Sequence, residues 1–228
     1  FAFVLKHATA AVNGARFTAV KIPSGGIPIQ YSEYFTVKSS AAVKLQVLMP
    51  GEKADPGSVY GKLGGCPANC PSPWTAGVST MVTVNAVDPY FNVVSGEQTQ
   101  VYLQTSDNYD IHPSTLQLVS GTTYFWTAMV SESTWTVSAF STTTYLASAS
   151  TSVYVGAAAP DRYLILLPGE SLEQGKCNIS GLCKQPLTGR AGTNGQADFS
   201  GDAGVQIATA AGTNLDARVY LTDRFYNW

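Results

Sequence analysis

Two stretches of this chain can be laid over one another. Phe35–Glu52 reads FTVKSSAAVKLQVLMPGE and Val153–Glu170 reads VYVGAAAPDRYLILLPGE, with Lys44 falling on Arg162 at an offset of 118 residues. Both run from a strand-like start through a small-residue joint to a cation, an apolar run and Pro-Gly-Glu. A second pair matches Val84–Asn92 (VNAVDPYFN) with Val219–Asn227 (VYLTDRFYN), 135 residues apart, each copy following a Thr-Ala-Gly or Thr-Ala-Ala-Gly turn. The 17 extra residues of the later copy fall in the Gly-rich stretch Gly189–Gly204, which reads as a loop expansion. A fainter match sets Ala15–Ile22 over Ser133–Phe140, again at 118. Three matches in one order imply stacked units of roughly 115 residues, an ordinary domain size.

On this interval the chain divides into a complete unit at 43–157, closing strands of a preceding unit at 1–42, and opening strands of a following one at 158–228. The joints Ser39-Ser40-Ala41-Ala42 and Gly156-Ala157-Ala158-Ala159-Pro160 are short, which predicts limited swing between neighbours. With 21 Ser, 23 Thr and 12 Tyr among 228 residues, and Lys and Glu scarce, the composition favours strands over helices. The complete unit reads as seven strands: Lys44–Met49, Thr80–Val87, Val101–Thr105, Thr115–Val119, Thr122–Val130, Thr134–Ala139 and Leu146–Val155. Turn signals such as Ser95-Gly96, Asp107-Asn108 and Ser120-Gly121 separate them. Seven short strands with such turns describe an immunoglobulin-like sandwich. The expected class is therefore all-β, tandem immunoglobulin-like units, one complete and two partial. Alternation places Val82, Val84, Tyr102, Phe125, Trp135, Val137, Val153 and Val155 inward.

The run Thr75-Ala76-Gly77, then Val82 to Gly96 (VTVNAVDPYFNVVSG), then Ser120-Gly121-Thr122-Thr123-Tyr124-Phe125, resembles the bacterial Ig-like repeats of long surface and secreted proteins. That resemblance spans 43–157 and both flanks, and rests on turn chemistry. It implies an extracellular or cell-surface structural and interaction role, as a stalk, adhesin or filament segment. The aromatic pairs Tyr90-Phe91 and Phe225-Tyr226 depart from it, standing where a small residue or Gly is common.

The four cysteines form two local pairs, Cys66 with Cys70 and Cys177 with Cys183. They read as two short-loop disulfides of an oxidising compartment. The competing metal site would need two ligands from each pair, but the spacings differ from a two-residue knuckle and no His lies nearby. Asn178-Ile179-Ser180 is a glycosylation sequon inside the second ring. No segment before Phe1 carries a leader pattern, so the chain reads as a mature or internal piece.

Function classes narrow by charge and chemistry. A net charge of −2 lacks the basic concentration that a nucleic-acid partner requires, and no apolar run is long enough for a membrane-spanning helix. Acyl-transfer catalysis would need a nucleophile near His7 or His112, and Gly77-Val78-Ser79-Thr80-Met81 misses the nucleophile elbow at its last position. The expectation is a protein that is not an enzyme and holds no cofactor. Calcium is the nearest site hypothesis: Asp107, Asn108 and Asp110 offer oxygen ligands in one loop, with Asp88 or Glu52 in reach. The alternative has Asp107-Asn108 starting a turn and Asp88 capping a strand. Trp74, Tyr90, Phe91, Tyr109, Trp126 and Trp135 raise a carbohydrate-binding alternative, since sugars stack on exposed rings; core packing is the competing role.

The partial ends admit two readings. Either they are a cut from a longer array, or the tail of one copy pairs with the head of the next so that subunits polymerise by strand complementation. Phe1, Phe3, Phe17, Val219, Leu221 and Phe225 are the interface residues of that second reading. A counterpart of roughly Val94–Gly121 is present at neither end, which weighs towards the cut.

Overall fold

The structure is a computed structural model that describes residues 2–9, 14–22, 26–64, 71–110, 114–177, 189–192, 211–212, 214 and 216–228. Among them it is all-β, without a helix, and so without one long and apolar enough to cross a membrane. In chain order the strands are β1 (Thr18–Ala19), β2 (Gln30–Tyr31), β3 (Lys44–Leu48), β4 (Glu52–Ala54), β5 (Lys62–Gly64), β6 (Trp74–Thr75), β7 (Thr80–Val87) and β8 (Gln100–Thr105). There follow β9 (Leu116–Gln117), β10 (Thr122–Thr127), β11 (Ser133–Ser141), β12 (Ala149–Gly156), β13 (Arg162–Leu166), β14 (Glu170–Leu172), β15 (Arg190–Gly192) and β16 (Arg218–Thr222).

Two sheets make a sandwich-like body in the middle of the chain. One has the order β10-β7-β3, the other β6-β12-β11-β8-β9; all pairings are antiparallel except β6 with β12. One sheet of the molecule curls into a half-barrel. The facing side chains are those the two-residue period selects: Leu45, Val47, Val82, Val84 and Phe125 from the first sheet meet Val101, Leu103, Val137, Val153 and Val155 from the second, all buried. Their burial, at about 25 cal/mol per Å² of apolar surface, supplies the main cohesion. On β10 the same alternation leaves Tyr124 and Trp126 outside.

Of the expected inward residues, Tyr102 is displaced. Val101 and Leu103 are buried, and Tyr102 sits half-buried on the opposite side of β8, stacked on Phe140 across the β8–β11 pair at 5.4 Å between ring centroids. β8 itself carries apolar residues in both phases, Val101 and Leu103 in one and Tyr102 in the other, so the period alone did not select its face. Trp135 is half-buried against the core and donates through Nε1 to the Ser131 carbonyl at 2.7 Å.

Outside this body, β1 pairs with β2, and β13 with β16. Small hairpins β4–β5 and β14–β15 follow the two Pro-Gly-Glu runs, which fold alike. Glu52 N–H donates to the Met49 carbonyl at 2.9 Å with Gly51 at φ 85°, and Glu170 N–H donates to the Leu167 carbonyl at 3.0 Å with Gly169 at φ 92°. Pro presets the first corner, and only Gly takes the second without strain. Each Glu carboxylate then accepts the N–H at the start of its turn and faces a cation from the paired strand, Lys62 at 2.8 Å and Arg190 at 3.9 Å. Neither hairpin was expected from the sequence, because strands of three residues are too short to show an apolar period.

Candidate functional site

The matched segments VDPYFN and TDRFYN fold into one and the same side-chain device, twice. In the first copy Asp88 follows β7. Its Oδ1 accepts the N–H groups of Tyr90 (2.9 Å) and Asn92 (3.0 Å), while Asp88 N–H donates to the Asn92 carbonyl and Phe91 N–H to the Asp88 carbonyl. In the second, Asp223 follows β16 and Oδ1 accepts from Phe225 (2.8 Å) and Asn227 (2.9 Å), with the same two backbone bonds. The turn puts a bulky residue in the left-handed region both times, Phe91 and Tyr226 each at φ 65°. Such a conformation costs on the order of 1 kcal/mol for a non-Gly residue, so the surroundings must hold it. They do so with a glycine below and a cation above. Gly61 and Gly189 lie so close to the rings of Phe91 and Tyr226 that an added Cβ would come within 2.2 Å. Lys44 Nζ stands 3.4 Å from the Phe91 centroid, and the Arg162 guanidinium 5.4 Å from that of Tyr226.

Both devices reach outward to two other parts of the chain. The second carboxylate oxygen holds the joint: Asp88 Oδ2 accepts Ser40 N–H at 3.1 Å, and Asp223 Oδ2 accepts Ala158 N–H at 2.8 Å. The Asn side chain grips the segment that precedes the joint. Asn92 Nδ2 donates to the Lys6 carbonyl (2.8 Å) and its Oδ1 accepts Ala8 N–H (2.6 Å). Asn227 Nδ2 donates to the Val130 carbonyl (2.8 Å) and its Oδ1 accepts Glu132 N–H (2.8 Å). A primary amide has a donor and an acceptor side by side, so it can stand in for a backbone amide against residues two apart. The remaining amide proton returns to the aspartate, at 3.0 Å from Asp88 Oδ2 and 2.9 Å from Asp223 Oδ2.

All four side chains are buried. Burial alone would raise the Asp88 carboxyl, but hydrogen bonds from Asn92, Ser40 and Tyr90 outweigh it and hold the group below its ordinary value. Burial lowers the Lys44 ammonium, with the Asp88 charge opposing that shift.

Two glycines tighten the same junctions. Gly57 N–H donates to the Tyr90 carbonyl at 2.7 Å and its α-carbon faces His7; Gly175 N–H donates to the Phe225 carbonyl at 3.0 Å and faces Ser131. The copies differ in one respect. Phe225 is fully buried, its ring over Gly77 of the central body, whereas Tyr90 is 38% exposed.

The calcium candidates belong to this neighbourhood. Asp107 is buried, and both its oxygens are engaged: Oδ2 accepts N–H from Val130 (2.9 Å) and Ser131 (3.1 Å), and Oδ1 accepts Tyr109 N–H (3.0 Å) and the Ser131 hydroxyl (2.9 Å). It thereby shapes the segment that Asn227 grips. Asp110 accepts the Thr105 hydroxyl at 2.5 Å, and Asn108 is exposed. No group of three or more His, Cys, Asp or Glu placed to hold a metal occurs among the described residues. The Tyr109 hydroxyl donates to Glu173, adding a further tie across the second junction.

The remaining candidates are dispersed. Phe3, Phe17, Val219 and Leu221 are exposed, and Phe1 lies outside the described residues. Cys177 is buried and is not free, and no disulfide joins two described residues. Cys66, Cys70, Cys183 and Asn178 lie outside the described residues, as does His112; His7 is exposed. Of the aromatic candidates Trp74 is buried, and Trp126 is the most open at 67%. Reasoning from sequence overlooked Asn92 and Asn227. The signal for them was the recurrence of Asp-x-x-x-Asn around an aromatic pair at both matched positions. No protein-family model matches the chain, and no curated protein sequence matches it.

Proposed function

We propose that the chain is a run of tandem immunoglobulin-like units, with 43–157 whole and 1–42 and 158–228 parts of its neighbours, serving as an extracellular structural segment of a stalk, adhesin or filament. The single observation that carries this reading is the clamp built twice, Asp88 with Asn92 and Asp223 with Asn227, each on a matching joint and on a segment that precedes that joint. A clamp repeated at the unit interval is what a regular array needs. The aspartate holds the linker, the asparagine holds the earlier unit, and the sandwich core of each unit carries the load between clamps. Its role is mechanical and geometric. The cysteine pairs accord with an oxidising compartment, where short disulfides would staple exposed loops.

Small-angle scattering tests the reading. The wild-type chain should fit one rigid elongated shape, and the double variant Asn92→Ala, Asn227→Ala should broaden the distance distribution while keeping its β-sheet signal. A wild-type chain as loose as the double variant would contradict it. Glycan binding is the second reading, favoured by Tyr124 and Trp126 standing exposed on one face of β10. A glycan-induced shift of tryptophan fluorescence that disappears in Trp126→Ala would support it.

A further inference from the structure

β10 is an edge of the three-stranded sheet and pairs with β7 alone. Ala86 N–H donates to the Gly121 carbonyl at 2.8 Å, which sets the phase of that ladder: Thr123, Phe125 and Thr127 turn their backbone groups towards β7. Tyr124 and Trp126 therefore direct theirs outward, and no hydrogen bond reaches those groups among the described residues. Their side chains, 54% and 67% exposed, lie on the outer face of the sheet beside Thr83 and Met81 of β7.

The other edges of the central body are blunted. On β3 the outward groups are engaged: Leu45 N–H donates to the Ala147 carbonyl, Ala147 N–H to the Val43 carbonyl, and Lys62 Nζ to the Val47 carbonyl. β6 and β9 are two residues long. β10 has six, Thr-Thr-Tyr-Phe-Trp-Thr, in unbroken register, without the charge, proline or bulge that keeps an open edge from pairing. It lies within 43–157, and the parts of the chain on either side pair elsewhere, β1 with β2 and β13 with β16.

We propose that β10 pairs antiparallel with β10 of a second copy of this chain, Tyr124 opposite Trp126 of the other copy and the two Phe125 residues at the two-fold axis. The edge itself names this occupant. An N–H and a C=O at Tyr124, with another pair at Trp126, are complementary to the same strand reversed, so both residues of both strands find partners. The side chains agree with that register. Met81 and Trp126, then Tyr124 and Thr83 of the second copy, form one row across the joined sheets, aromatic against aromatic and with no like charges opposed. A patch that meets itself closes as a dimer. With one strand on each side the contact is small, so the association is reversible. It does not depend on the tandem reading, because every group in it lies within 43–157, and it would tie two such segments side by side.

Sedimentation equilibrium of the whole chain, from about 1 to about 500 µM, reads it out. The mass should rise with concentration towards twice 24.1 kDa and not pass it. Trp126→Lys and Tyr124→Glu each change an exposed side chain, so each should keep its circular dichroism and, in dilute solution, its thermal midpoint. Each removes both aromatic pairs of its own dimer and should weaken it at least about tenfold. Mixed in equal amounts, the two variants should associate more tightly than either does alone, because the introduced ammonium and carboxylate then lie opposite one another while the remaining Tyr124 still faces Trp126. A wild-type mass that stays at the monomer would leave the two rings to a glycan and overturn the proposal. Growth past the dimer, a dimer untouched by either substitution, or a mixture no tighter than the variants alone would overturn it too.

Discussion

Asn227 and Val130, 97 residues apart in the chain, are joined by a 2.8 Å hydrogen bond from the Asn227 Nδ2 to the Val130 carbonyl, both residues buried. Asn92 makes the same bond to Lys6, 86 residues away. Each Asn depends on an Asp four residues earlier to orient its amide, and each Asp depends on a strained aromatic to bring the Asn round. The device works as a unit, so removing any part should cost more than one hydrogen bond.

Asn227→Ala strips partners from the buried Asp223 carboxylate, the Val130 carbonyl and the Glu132 N–H at once. The expected loss is about 2–3 kcal/mol, read as a lowered midpoint of the second junction in denaturant. Asn227→Asp should be worse than Ala at neutral pH, since it sets a second carboxylate beside Asp223, and should recover in part as the pH falls.

Acid should loosen the first junction through Asp88. The folded carboxyl titrates below its ordinary value, so it favours the clamp above the unfolded pKa of ~3.9, and that contribution disappears as pH falls through the folded value. Stability should be insensitive to this group above about pH 5 and decline below about pH 4. Asp88→Asn should be weaker at neutral pH yet show a shallower acid limb in a pH series of urea melts.

Phe225 and Tyr90 occupy matching places but differ in burial, so truncation should separate them. Phe225→Ala empties a site enclosed by the central core and should cost about 3–5 kcal/mol. Tyr90→Ala, more than a third exposed already, should cost under about 1 kcal/mol. Equal losses in thermal unfolding would contradict the packing described.

The hairpin leading into β10 can be improved. Val119 and Thr122 exchange backbone hydrogen bonds across Ser120-Gly121, with φ 52° and 77°, so Ser120 sits where Asn or Gly is preferred. Ser120→Asn or Ser120→Gly should raise stability by roughly 0.4–1 kcal/mol, and Gly121→Ala should lower it, since its Cβ would meet the Val94 carbonyl oxygen at 2.4 Å.

Legibility in the sequence followed the range of each interaction. β7 is read to the residue and β3 to within one, because both end at turn chemistry encoded locally by Asp88-Pro89 and Pro50-Gly51. The Pro-Gly-Glu repeat marks two identical turns for the same reason. β6, two residues long and tied in parallel to β12, has no local signature, and β8 presents apolar residues in both phases. At the junction, Asp88 was legible as a cap. The Asp-x-x-x-Asn spacing is local, but the Lys6, Ala8, Val130 and Glu132 backbone groups that Asn92 and Asn227 grip lie more than eighty residues away, so no local pattern announces those partners. Phe225, read as a surface for another copy, is enclosed within its own chain because the preceding turn rotates it onto Gly77, a contact that neither residue's neighbours encode.

Amide hydrogen exchange, resolved by residue, tests the junction clamps most directly at Ala8, Ser40, Glu132 and Ala158, whose N–H groups are held only by these Asp and Asn side chains among the bonds described. The account predicts that all four are protected in the wild-type chain. In Asp223→Ala, Glu132 and Ala158 should lose protection together, with Ala8, Ser40 and the amides of β7 unchanged. Exchange of Glu132 and Ala158 at open-chain rates in the wild type, or protection untouched by the substitution, would contradict it.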